Sequence, residues 1–157
     1  MTIMQVRRLR LAAALLVAAL AAPAVAQDNG LIVKPSAHGV IETVDRLERI
    51  LGEKGIDVMA RIDHAENALK AGERIKPTEL LVFGNPALGT PLMQSARSIA
   101  IDLPMKALAW EDDEGRIWLA YNDPGWLAAR HGVTGRDEIV RQMSGALDQI
   151  TDGATSE

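Results

Sequence analysis

Apolar positions along the chain change their period several times, and each change marks an element. Ile41, Val44, Leu47, Ile50 and Leu51 lie on one helical stripe, while Asp45, Arg46, Glu48 and Arg49 lie on the other side. That spacing predicts a helix from about Val40 to Lys54, ended by Gly55. Ile139, Val140, Met143, Ala146, Leu147 and Ile150 predict a second long helix, opened by a capping box at Thr134–Asp137. Between them the period shortens. Leu31–Lys34, Asp57–Ile62, Thr78–Phe83, Ser98–Asp102, Ala107–Glu111 and Arg116–Tyr121 read as strands. The run Leu80–Phe83 implies burial on both faces.

Punctuation fits the same plan. Asp63-His64-Ala65-Glu66 is a capping box for a short helix that Gly72 stops. Asn85-Pro86 and Thr90-Pro91 each fit N-cap plus first helical residue, which predicts two closely spaced helix starts. Leu103-Pro104 makes a corner, and Asp123-Pro124 opens a helix closed by Gly132. Asp112-Asp113-Glu114-Gly115 is a hairpin turn, with the acids Glu111–Glu114 at a solvated tip. A hairpin makes the sheet partly antiparallel, and two amphipathic helices need one covered sheet face. The expected fold is therefore α+β, a two-layer sandwich of a mostly antiparallel sheet with helices on one face.

The first 26 residues follow another logic. Arg7, Arg8 and Arg10 precede the apolar run Leu11–Ala22, and Ala24-Val25-Ala26 fits a small-x-small cleavage site before Gln27. The run is short for a membrane span, which needs about 20 apolar residues. Residues 1–26 are expected to be a signal peptide, residues 27–30 a polar lead-in, 31–151 the domain and 152–157 a disordered tail. The expected location is periplasmic or secreted, with no stable membrane anchor after cleavage. Without its three leader arginines the chain keeps 14 Lys+Arg against 21 Asp+Glu, a net charge of −7. Such acidity disfavours nucleic acid as a partner. Cysteine is absent, which excludes thiol catalysis, thiolate metal sites and disulfides.

Candidate chemistry gathers where the third strand ends. Gly84 lets the backbone turn, Asn85 and Thr90 are cap residues, and Gly89 precedes the second start. Two neighbouring helix N-termini would offer N–H donors to a small anionic or polar ligand. The same residues also read as an ordinary corner that satisfies its own N–H groups. His64, flanked by Asp63 and Glu66, is a candidate general base or helper ligand. His38, His64 and His131 form no metal-binding spacing, so neither metal nor cofactor is expected. No Ser/His/Asp order stands out, and no serine sits in a nucleophile motif. Trp110, Trp118 and Trp126 either line a surface or plug the core edge.

Several of these stretches together resemble the domain of unknown function 302 family. They are Glu42-Thr43-Val44, Ala60–Ala65, Phe83-Gly84-Asn85-Pro86 with Gly89–Met93, Leu103-Pro104, Tyr121–Pro124 and Arg130-His131. The resemblance covers about Leu31 to Ile150 and implies a curved antiparallel sheet with helices, a TATA-binding-protein-like arrangement. It implies no reaction. The expected function is a small-ligand-binding or protein-interaction domain, with homodimerisation among the expectations. The alternatives are an enzyme using His64 with Asn85 and an acid, or a metal-binding accessory protein.

Overall fold

A computed structural model describes residues 29–157; the expected signal peptide lies outside them. The order is β1 (Leu31–Ser36), α1 (Val40–Glu53), β2 (Asp57–Asp63), α2 (His64–Lys70), β3 (Thr78–Gly84) and α3 (Pro86–Ser95). A 3-10 helix (Arg97–Ile101), β4 (Met105–Glu111), β5 (Ile117–Asn122), α4 (Pro124–His131) and α5 (Asp137–Thr155) follow. The five strands form one antiparallel sheet in the order β1-β5-β4-β3-β2. The fold is α+β, as the pattern predicted.

Strand alternation decides which face is covered. Leu81 and Phe83 on β3, Met105, Ala107 and Ala109 on β4, and Leu119 and Tyr121 on β5 point one way and are buried. The stripe of α1 lies on that face, with Val44, Leu47 and Leu51 fully buried, each worth roughly 1.5–3 kcal/mol of transfer free energy. Met143, Leu147, Ile150 and Ala154 bring α5 alongside α1 in the same core. Trp110 and Trp118 sit directly opposite each other on the other face. Trp126 is elsewhere, on α4, its ring filling the space a Cβ at Gly30 would need.

Charge ties the layers together. Arg61 on β2 shares both oxygens of the buried Glu79 (Nε–Oε1 2.8 Å, Nη2–Oε2 3.0 Å) and reaches Asp45 on α1 at 2.6 Å. The Glu79 carboxylate, more than Asp45, pushes the guanidinium above its ordinary pKa against the effect of burial. Lys34 of edge strand β1 donates to Asp148 and Asp152 of α5, each at 2.6 Å.

Four local expectations fail for identifiable reasons. Ser98–Asp102 is not a strand: the five-residue run has no ladder partner and closes as the 3-10 helix, with Ile99 buried and Ile101 exposed. Thr90-Pro91 starts no second helix, because α3 is already closed by Leu88 and Gly89 N–H bonds to the Asn85 carbonyl and runs on through Pro91. Thr134 does not cap α5. Its N–H and carbonyl are both held by the Ser95 hydroxyl, and the N-cap position falls on Arg136. The tail expected from 152 is instead the last turn of α5, with Ala154 and Thr155 buried and the Ala37 N–H donating to the Thr155 carbonyl at 2.9 Å.

Candidate functional site

A cavity of about 260 Å³ opens at the end of the sheet where β3 leaves and β4 enters. Phe83, Gly84 and Met105 form its floor, with Leu103-Pro104 at the side. Leu88, Gly89, Thr90 and Met93 of α3 form one wall. Met143, Ala146, Leu147 and Ile150 of α5 form the other, and Ile56 and Met59 complete the rim. The lining is carbon and thioether almost throughout. The chain has six methionines; Met1 and Met4 lie outside the described residues, and the remaining four all face this space. Unbranched, polarisable thioethers adapt to irregular apolar ligands.

Local backbone features keep the space open. The β2 ladder is irregular between Val58 and Ala60, and Met59 at that irregularity reaches the rim. A Cβ at Gly84 would come within 3.3 Å of the Pro104 Cβ and 3.7 Å of the Met59 Cε. A Cβ at Gly89 would lie 3.6 Å from the Leu103 Cδ1. Gly84 therefore makes room beside Pro104, whereas a Cβ at Gly89 would make only an ordinary contact. Asn85 sets the angle of α3 as its N-cap, its side-chain oxygen accepting from the Ala87 N–H at 2.9 Å.

Four of the five sequence-predicted site residues thus meet at one cavity: Gly84, Asn85, Gly89 and Thr90. The chemistry differs from the anion site expected there. Pro86 has no N–H, Asn85 takes the Ala87 N–H, and the Leu88 and Gly89 N–H groups already bond the Asn85 carbonyl. The turn that was to hold an anion has spent its donors on itself.

His64 is not in the site. It follows Asp63, which pairs with Glu79, whereas Asn85 follows Gly84, which pairs with Asp57. The two lie at opposite ends of the β2–β3 hairpin, about 17 Å apart at the rise of an antiparallel strand. An enzyme built on His64 and Asn85 is excluded by that separation. Asp63 is the N-cap of α2, accepting from the Glu66 N–H at 2.8 Å. Asp123 caps α4 in the same way through the Gly125 N–H. Among the described residues no three His, Asp or Glu side chains are placed to share a metal ion.

His131 is where the sequence reading missed most. Its Nε2 lies 2.6 Å from Asp102 Oδ2 and its Nδ1 3.0 Å from Ser98 Oγ. Lys106 donates to the carbonyls of Asp102 and Pro104. Burial pushes its ammonium down in pKa, against the pull of Asp102. Ser98 and Asp102 are four residues apart, but His131 is 29 residues beyond Asp102, and nothing in the sequence joins them. A 3-10 turn in place of the expected strand was the needed signal.

Comparison with known proteins bears on the whole domain. The family model "Domain of unknown function DUF302" matches residues 32–150. Two proteins named "Fluoride-specific ion channel FluC 1", from Brucella suis and Brucella abortus, are 44% identical over 125 residues. "Fluoride-specific ion channel FluC 2" of Brucella melitensis is equally similar. The matches cover 79% of this chain but 49%, 46% and 46% of those proteins, so the chain spans about half their length. No helix among the described residues is long and apolar enough to cross a membrane. The crystal structure of an uncharacterised conserved protein DUF302 from Bacillus stearothermophilus superposes with a TM-score of 0.72 at 20% identity. That match covers 80% of this chain and 98% of the other, and it shows a shared fold.

Proposed function

We propose, for a chain that belongs to the DUF302 family, that it is an exported binding domain for a small apolar molecule. The cavity between α3, α5 and the β3–β4 end of the sheet carries this reading. A dry 150 Å³ cavity holds benzene, so about 260 Å³ suits a ligand of about ten carbons. Ligands of that size, recognised by shape and dispersion alone, bind with a Kd on the order of 10–100 μM.

Naphthalene, monitored by chemical shifts of the methionine methyl groups, is a direct probe. Binding should shift Met93, Met105 and Met143. Ala146→Phe should fill the space and weaken binding at least tenfold without lowering Tm; Ala146→Leu is a milder version of the same change. Absence of naphthalene binding, or equal binding by a folded Ala146→Phe variant, would sink the proposal.

The relatives favour a second reading, in which the domain works alongside a fluoride channel. It rests on the same domain-length similarity to proteins named as such channels. Growth of a deletion strain on graded sodium fluoride checks it, and unchanged tolerance would remove it. Export is tested separately: the secreted chain should begin at Gln27, as read by N-terminal mass spectrometry.

A further inference from the structure

We infer that Ser98, His131 and Asp102 form a hydrolytic triad acting on activated carboxylic esters, a site separate from the apolar cavity. The inference rests on geometry. Asp102 Oδ2 lies 2.6 Å from His131 Nε2, and His131 Nδ1 lies 3.0 Å from Ser98 Oγ. A carboxylate can only accept, so Nε2 carries the proton and Nδ1 presents its lone pair to the Ser98 hydroxyl. Both distances fall within the reach of a nucleophile, its base and the group that orients the base.

The supporting groups hold that arrangement. The His131 and Asp102 side chains are 9% and 15% exposed, while Ser98 is open to solvent. Arg130 Nη1 stands 3.4 Å from the same carboxylate oxygen and its guanidinium lies over the Trp126 ring at 5.6 Å. Lys106 bonds the Asp102 carbonyl at 2.8 Å and so fixes the backbone that carries the acid. The nucleophile is thus exposed, and the base and its orienting acid are shielded. A purely structural histidine has no need of that division. His131 also ends α4, where a protonated ring would suit the helix dipole, and this is the competing role the experiment must separate.

The chemistry balances without a cofactor. Ser98 Oγ attacks the ester carbonyl carbon as its proton passes to His131 Nδ1. The tetrahedral intermediate collapses, the C–O bond to the leaving group breaks, and the alkoxide or phenoxide takes the proton from Nδ1. Water then attacks the acyl-serine, giving its proton to Nδ1; collapse releases the carboxylic acid and returns that proton to Oγ. Asp102 stays ionised and steadies the imidazolium throughout. Ser98 stands exposed on the 3-10 turn, so oxyanion donors would have to come from neighbouring backbone N–H groups and not from an enclosed pocket. Oxyanion donors are worth about 10²–10³ in rate each, so a sparse set suits aryl esters better than amides.

The test uses the purified chain with a fluorophosphonate and with p-nitrophenyl acetate. Peptide mapping should place the phosphonyl adduct on Ser98. Ser98→Ala, which alters an exposed side chain, should abolish the adduct and lower ester turnover at least about 100-fold. His131→Gln should slow labelling by a similar factor with an unchanged circular dichroism spectrum. Three results would each overturn the inference: no adduct, adducts spread evenly over Ser95, Ser98 and Ser144, or labelling of His131→Gln at the wild-type rate. If His131→Gln fails to fold, Asp102→Asn takes its place with the same expected slowing.

Discussion

Asp112 shows how a single residue can reverse its sequence reading. It belongs to an acidic run expected at a solvated hairpin tip, yet its carboxylate is turned inward and its side chain is only 16% exposed. Oδ1 accepts from the Glu114 and Arg116 N–H groups, and Oδ2 from the Arg116 guanidinium and the Trp118 indole, each of these at 2.7 Å. Burial acts to raise its pKa, but the bonds from Trp118 and Arg116 together outweigh it and hold the group at about 2. The folded value lies below the ordinary 3.8, so the stabilisation is present above pH 4 and disappears as pH falls through about 2. Asp112→Asn should therefore lower the urea midpoint at pH 5, and its deficit against the native chain should shrink towards pH 2. A deficit independent of pH would contradict the assignment. Caps such as Asp63, Asn85 and Asp123 were legible because each bonds a neighbour two or three residues away. The partners of Asp112 and His131 depend on turns and strand pairing, which residue types alone do not encode.

At the scale of elements, long helices were legible and short apolar runs were not. The stripes of α1 and α5 repeat over several turns, so their period is unambiguous. Ser98–Asp102 offers five residues, in which a strand and a 3-10 turn look alike. The end of α5 was misjudged for a related reason: residues 152–157, Gly153 among them, read as a frayed tail. Their role is packing. Gly153 lets α5 pass α1, with its Cβ position 3.0 Å from Ile50 Cδ1. The Thr151 and Thr155 hydroxyls return to carbonyls one turn back. Arg46 on α1 donates to the Gly153 and Ser156 carbonyls, and Lys34 on β1 needs Asp152. Truncation after Thr151 should remove all of these except the Thr151 bond, and uncover the core surface that Ala154 seals. The expected loss is about 2 kcal/mol, a fall in Tm of roughly 4–10 °C for a domain of this size. Differential scanning calorimetry of the truncated chain measures it, and an unchanged Tm would return these residues to the status of a tail.

For the whole molecule, the layer argument carried furthest because it asks little of any one residue: an antiparallel sheet with one apolar face and two amphipathic helices has few ways to be covered. The cavity was half legible. The β3–α3 corner pointed to Gly84, Asn85, Gly89 and Thr90, but its character depends on α5, more than 50 residues further along the chain, and no local pattern conveys that. The methionines that make its wall apolar also make it chemically alterable. Met59 on the rim is 51% exposed, while Met105 and Met143 are 5% and 7% exposed, so a peroxide reaches Met59 first. Its sulfoxide would place a strong dipole at the mouth of an apolar cavity, and a reductase could remove it again. Naphthalene affinity should fall in step with Met59 oxidation followed by mass spectrometry, and Met59→Leu should blunt that fall. The affinity of this domain would then vary with the oxidant level of its surroundings, with no change in fold and no titrating group involved.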